Sequence, residues 1–284
     1  MASLLITRAM PGRVLKAARE RFDVTHRDQP LPMSDAETIA ALRSYDAILP
    51  TLAEPLNAKN FAATSDIRCR ILANFGVGTN HIDVAAANRA GIIVTNTPGA
   101  VTDATADIAV MLMLMSARRA SEAEALLRSG NWAGWEPTQF LGLHVSGKTV
   151  GIIGMGRIGR AVAQRCQRGF GMKVVFHNRS RVTDAGVDAA QLDSLHAVMA
   201  AADVVIVAVP GGVGTRHLID AAALGAMQAH AVIVNISRGD VMDEAALVQA
   251  LQSGVIAGAG LDVYENEPEV PEELRRLPNV SLLP

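Results

Sequence analysis

The chain has 284 residues, half of them hydrophobic and 19% charged, with a formal net charge of −2. That length implies two domains at roughly 150 residues each, and so apolar a chain can bury a large core. The near-neutral balance removes the electrostatic case for nucleic acid, and the longest wholly apolar run, residues 108–115, is far short of the ~20 residues of a membrane span.

The opening MASLLITRAMPGR has no basic start and no long apolar stretch, so it does not read as a signal peptide, and the protein is expected in the cytoplasm. Short β-branched runs predict strands over residues 4–7, 23–26, 47–49, 70–73 and 92–95, with Ala-rich helical stretches between them. Strand, helix, strand at this spacing implies parallel sheets covered by helices. Cys69 and Cys166 are far apart and form no metal spacing, so they read as buried thiols and no metal is expected. The Pro/Gly turn at 96–100 reads as a hinge. It divides a first domain, 1–98, from a second, 99–284.

A helix opens near Thr102 or Asp103, either of which can cap it, and is expected to run to about Ser129. Its stretch IAVMLMLM is apolar all round and predicts burial on every side, as a core or subunit-interface helix rather than a Met-rich cofactor box. Strands follow over 149–153, 173–177, 204–209, 232–236, 256–261 and 280–283. Runs such as VVIVAV and AVIVNI suit strands buried on both faces. Six strands match a complete dinucleotide-binding sheet.

The first of these strands leads into Gly154-x-Gly156-x-x-Gly159 and then a helix opened by Arg157 and Ile158. In that setting the first glycine makes the tight turn, the second admits a pyrophosphate and the third lets helix pack on strand. The helix N-terminus faces the phosphates. About 20 residues on, an NAD site carries an acidic residue for the ribose hydroxyl. Asn178 stands there, followed by Arg179, Ser180 and Arg181. A neutral side chain flanked by two guanidiniums predicts a 2′-phosphate, hence NADP with NADPH preferred and NAD possible. A solvated basic loop is the alternative.

Ligands in such sheets bind beyond the carboxyl ends of the strands. The third predicted strand of the second sheet ends in Val209, just before Pro210, and a turn through Thr215 is of a size to cover a nucleotide. The fourth ends in Ile236, then Ser237 and Arg238; the fifth leads to Asp262 and Glu267. An arginine suits a carboxylate substrate, and a carboxylate suits a histidine whose pKa must rise.

These residues resemble the D-isomer-specific 2-hydroxyacid dehydrogenases, and within them the glyoxylate/hydroxypyruvate reductases. The resemblance spans the chain and rests on NFGVGTNHIDV (74–84), NTPGAVTDATADIAVMLML (96–114), VGIIGMGRIGRAVAQR (150–165), VIVNISRGDVMDEAALVQAL (232–251) and AGAGLDVYENEP (257–268). It implies an α/β chain of two Rossmann-like domains with doubly wound parallel sheets, a flavodoxin-like substrate domain and a dinucleotide-binding domain. It implies that Arg238 holds the 2-oxoacid and Glu267 tunes a catalytic histidine. Asp262 is expected near the nicotinamide carboxamide, with Thr105 beside the nicotinamide. The backbone amides of Val77 and Gly78 would take the substrate carboxylate. The segment 49–57, with Leu52, would line the substrate pocket; it has no arginine, which disfavours a phosphorylated substrate. A homodimer is expected, with Trp132 or Trp135, more plausibly Trp135, reaching the neighbour's site.

The family's general acid is the histidine after a segment like Leu282-Leu283-Pro284. None of the seven histidines takes that place, and His81, beside the substrate loop, reads as structural. The acid is therefore expected just beyond Pro284, with the chain as given stopping short of it and turning over poorly. The whole predicts NAD(P)H-dependent reduction of glyoxylate or hydroxypyruvate; a non-catalytic dinucleotide-sensing protein on the same fold is the alternative.

Overall fold

The computed structural model describes residues 1–52 and 54–284 and divides into two compact units, Met1–Val101 and Thr102–Pro284. In the first, strands β1 (Ser3–Ile6), β2 (Asp23–His26), β3 (Ala47–Leu49), β4 (Ile71–Ala73) and β5 (Ile93–Thr95) pair in parallel in the order β2-β1-β3-β4-β5. This is the flavodoxin-like order, whose ligand crevice opens at the β1/β3 switch point. Alternate strand residues Leu5, Ile48 and Leu72 meet Leu42, Phe61 and Ile92 in one buried cluster. The Asp35–Ser44 helix starts where local chemistry says it should: Ser34 accepts from the Glu37 N–H while Glu37 reaches back to Ser34.

The second unit holds β6 (Thr149–Ile153), β7 (Lys173–His177), β8 (Ala189–Gln191), β9 (Val204–Val207), β10 (Val232–Asn235), β11 (Gly258–Leu261) and β12 (Val280–Leu282). All pair in parallel in the order β12-β11-β10-β9-β6-β7-β8. The continuous apolar runs are explained by the two core clusters. Val205, Val207 and Ile233 point into one, while Val204, Ile206, Val232 and Val234 point into the other. Strand residues alternate between faces, so a strand covered on both sides must be apolar throughout.

The strand count and the long helix are both corrected. The sheet has seven strands among the described residues, because β8 was missed, and the terminal strand is the seventh rather than the sixth. β8 is a half-exposed edge strand of Ala-Ala-Gln with no apolar run to announce it. The long helix is also two, Thr102–Ala117 and Ala120–Arg128. Arg119 between them takes the left-handed conformation (φ 54°), and the Ala117 carbonyl is claimed by the Leu143 N–H at 2.8 Å. The Arg119 guanidinium pairs with Glu122 and lies over the Phe140 ring, 5.4 Å from its centre. The Ala-rich sequence carries no glycine or proline there; a distant loop ends the helix.

The Thr102–Ala117 helix begins at Thr102, so Thr102 and Asp103 lie in its first turn rather than before it. Nor is it buried on every side within the chain. Ala109, Leu112 and Met113 are buried, whereas Met111 is 39% exposed. Val110, Met111, Leu114 and Met115 line a groove of about 830 Å³ with Phe170. No helix among the described residues is long and apolar enough to cross a membrane.

Candidate active site

The dinucleotide cradle lies at the β6/β9 switch point of the second unit. Gly154 leaves β6 with φ 100°, a conformation side chains rarely adopt. A Cβ there would stand 2.6 Å from the Ala208 carbonyl oxygen, and a Cβ on Gly159 would stand 2.1 Å from the Gly154 oxygen. Gly156 faces open space and caps the Arg157–Phe170 helix with no side-chain hydrogen bond. The helix's first N–H groups therefore remain available, and the missing Cβ leaves room for a diphosphate. These features fit a dinucleotide. Gly156 and Arg157 are exposed, Ile158 is half-buried and Gly159 is buried.

Asn178 directly follows β7. Its amide donates to the Ser180 carbonyl at 3.0 Å and lies 3.3 Å from the Ser180 hydroxyl. Gln191 on β8 donates to the same carbonyl at 3.1 Å, so the strand missed in the sequence braces this turn. Arg179 and Arg181 are exposed, form no ion pair among the described residues, and line a groove of about 770 Å³ with Asn178 and Ser180. Across the switch point, Val209 packs beside Gly154, and the loop closes on itself as Thr215 Oγ1 donates to the Pro210 carbonyl at 2.8 Å. Thr105 is half-buried beside Ala106, which shares a cluster with Met155 and Ile236.

Arg238 and Glu267 occupy neighbouring turns at the carboxyl edge of β10 and β11. Asn235 wires the first turn. Its Oδ1 accepts from the Ser237 N–H and hydroxyl at 3.0 and 2.7 Å, and its Nδ2 donates to the Arg238 carbonyl at 3.0 Å. The half-buried Arg238 donates through Nη1 to the Ser237 carbonyl at 2.6 Å. Gly239 then presses on the second turn so closely that a Cβ would stand 1.8 Å from the Tyr264 carbonyl carbon. Glu267 is exposed and accepts from the Tyr264 N–H at 3.0 Å. The Tyr264 hydroxyl donates to the Leu283 carbonyl at 2.7 Å, and the Leu283 N–H donates to Leu261. Pro284 thus leaves the sheet at the same edge.

This edge is strongly acidic. Burial raises the Asp262 pKa, and the Glu267 charge raises it further. Burial likewise raises Glu244, with Glu265 and Glu267 adding to it, although Glu244 accepts the Glu265 N–H at 2.8 Å. Glu265 also takes Arg216 and His217, each at 2.9 Å, tying the loop after Thr215 to the Glu267 turn. A surplus of negative charge favours a cation, such as a protonated imidazole, brought to this edge. Asn235, Glu244, Glu265 and His217 were not singled out in the sequence, because their partners are assembled only by the sheet.

In the first unit, the carboxyl ends of β3 and β4 carry the other expected groups. Leu52 is 52% exposed, and its Cδ2 lies 3.7 Å from the point a Cβ on Gly76 would occupy. Within the expected lining segment 49–57, Ala53 lies outside the described residues. Glu54 is fully buried and accepts from Arg8 Nε at 3.1 Å and the Met33 N–H at 2.8 Å, anchoring the segment. The 74–78 turn is pinned by two asparagines that sequence reasoning passed over. Asn74 donates to the carbonyls of Gly76 and Gly78 at 3.1 and 2.9 Å, and Asn96 to that of Val77 at 2.8 Å. Trp132 and Trp135 are 48% and 78% exposed on the 131–136 segment.

The chain is similar to known proteins over its whole length. Residues 110–284 match the model of the D-isomer specific 2-hydroxyacid dehydrogenase, NAD binding domain. The chain is 44% identical to the glyoxylate reductase of Thermococcus kodakarensis over 99% of its own length and 85% of the relative's. The structure of an NADPH-dependent glyoxylate/hydroxypyruvate reductase from Sinorhizobium meliloti, in complex with NADP and malonate, superposes with a TM-score of 0.87 at 39% identity. It covers 100% of this chain and 86% of that one. A glyoxylate reductase from Paecilomyes thermophila gives a TM-score of 0.88 at 33% identity, covering 100% and 88%.

Proposed function

The chain belongs to the D-isomer specific 2-hydroxyacid dehydrogenases, and we propose that it reduces glyoxylate or hydroxypyruvate to the 2-hydroxyacid with NADPH. The observation that carries this reading is the tight contact at Gly239, which sets the Arg238 turn against the Glu267 turn at the ligand edge of a dinucleotide sheet.

The turn of Gly154, Gly156 and Gly159 would hold the dinucleotide, which when bound would supply the hydride. Within the first unit, the amides of Val77 and Gly78 take the substrate carboxylate. Within the second, Arg238 offers a planar fork of donors to the oxoacid, a geometry lysine lacks. The alkoxide that develops on the substrate needs a proton as it forms. We assign that proton to a histidine standing next after Pro284, which leaves the sheet beside the Glu267 turn. Glu267 is assigned to steady the histidinium. Asp262, at the end of β11, is assigned to the nicotinamide carboxamide, and Thr105 to the ring's surroundings.

NADPH preference is supported by Asn178 and by the unpaired, exposed Arg179 and Arg181 around its groove. A charge-assisted phosphate contact is worth ~1.5–3 kcal/mol. Arg179→Ala is expected to weaken NADPH about ten- to a hundredfold while leaving NADH nearly unchanged. Titrations in which the unmodified protein binds NADH as tightly as NADPH refute the preference.

Assembly as a homodimer is supported by the apolar groove of the Thr102–Ala117 helix, with Trp135 assigned to the partner's site. Sedimentation should show a dimer at micromolar concentration that Met111→Asp weakens. A stable monomer in the unmodified protein contradicts it. The buried, unpaired thiols of Cys69 and Cys166, their pKa values pushed by burial up to about 11 and about 12, support a reducing compartment such as the cytoplasm.

A further inference from the structure

The turn after β4 presents an unusual balance of backbone groups. The Gly76 carbonyl accepts two hydrogen bonds, from Asn74 Nδ2 and from the Thr97 N–H, both at 3.1 Å. The Val77 carbonyl accepts from Asn96 Nδ2, and the Gly78 carbonyl from the second proton of Asn74 Nδ2. The N–H groups of Val77 and Gly78 donate to nothing among the described residues. Asn74 is 2% exposed, so both of its donors are committed inside the protein.

In a trans peptide the carbonyl and the next residue's N–H lie in one plane and point in opposite directions. The peptides flanking Val77 are both trans. Fixing the Gly76 carbonyl therefore aims the Val77 N–H the other way, and fixing the Val77 carbonyl aims the Gly78 N–H away from Asn96. Consecutive N–H groups held outward form an anion-binding concavity. Without the pins each peptide plane is free to rotate, and the donors must be ordered at the moment of binding, which weakens it.

We propose that Asn74 and Asn96 are positioning residues for the substrate carboxylate: they touch no reacting atom, and they hold two peptide planes so that the Val77 and Gly78 amides meet a carboxylate already aligned. The inference rests on assigning the substrate carboxylate to those amides. It adds that the site's affinity is set by two side chains behind it. Thr97 shares the Gly76 carbonyl through its own N–H, so Asn74 acts on this peptide with backbone support, whereas among the described residues Asn96 alone holds the next.

The test uses oxamate, a non-reducible carboxylate, titrated into the NADPH-saturated protein while the backbone amide signals of Val77 and Gly78 are followed by NMR. In the unmodified protein both signals are expected to move with saturation. Asn96 is exposed, so Asn96→Ala should keep its melting temperature and NADPH affinity while binding oxamate about tenfold more weakly. The Gly78 signal should respond less. Asn74→Ser, a second variant, should show the same loss with the larger change at Val77. If the unmodified signals do not respond to oxamate, the assignment of the amides fails and the inference with it. If they respond but Asn96→Ala binds oxamate as tightly as the unmodified protein, the assignment stands and the inference is wrong.

Discussion

Replacing Arg238 with lysine is expected to cut the specificity constant for glyoxylate by about ten- to a hundredfold while NADPH affinity stays nearly constant. The turn is held by Asn235 and by the contact of Gly239 with Tyr264, neither of which involves the guanidinium. Lysine therefore leaves the backbone in place and keeps the charge. It loses the fork that grips a carboxylate or carbonyl with two parallel bonds, and a charge-assisted bond is worth ~1.5–3 kcal/mol. Steady-state kinetics with a parallel cofactor titration reads both effects. Unchanged turnover and unchanged oxoacid affinity remove Arg238 from the site.

The glycine cradle yields the second large effect, as a contrast between neighbours. Gly159→Ala places a methyl 2.1 Å from the Gly154 carbonyl oxygen, a backbone atom that cannot swing aside. The helix must lift off β6, at roughly 1–3 kcal/mol or more. A domain of this size loses ~2–4 °C of melting temperature per kcal/mol, so a fall of several degrees is expected together with loss of NADPH binding. Gly156→Ala meets nothing within 4 Å and should leave the melting temperature unchanged. The same methyl occupies the space assigned to the diphosphate, so NADPH affinity should still fall by at least about tenfold. Calorimetric melting and fluorescence titration of the pair separate packing from binding. Undiminished NADPH affinity in Gly156→Ala places the diphosphate elsewhere.

What the sequence made legible is what is local or doubly buried. The β9 and β10 runs could be read because both faces of each strand are covered, which forces unbroken apolar sequence. The Gly154–Gly159 motif could be read because turn, approach and packing lie within one turn of chain. β8 could not, since a half-exposed edge strand needs no apolar run. The break at Arg119 could not, since Leu143, distant in sequence, takes the Ala117 carbonyl. At the site, Arg238 and Glu267 stood out through their motifs, whereas Asn74, Asn96, Asn235, Glu244 and Glu265 act through partners that only the folded sheets bring together.

The acidic edge at Glu267 gives the proposed acid its pH behaviour. A histidine gaining a carboxylate partner has its pKa raised, so it stays protonated, and able to donate, up to a higher pH than a free imidazole. Rate should be full below that raised value and decline as pH rises through it. Glu267→Gln should move the decline to lower pH.

The most direct test of the central claim is the rate of NADPH oxidation with glyoxylate and with hydroxypyruvate, measured across pH for the protein carrying a histidine directly after Pro284 and for one carrying alanine there. The account predicts oxoacid-dependent oxidation that declines on the alkaline side, and a loss of ~10²–10⁴-fold with alanine while NADPH affinity is kept. Oxidation of NADPH that neither oxoacid accelerates, or equal rates with histidine and alanine at that place, would contradict it.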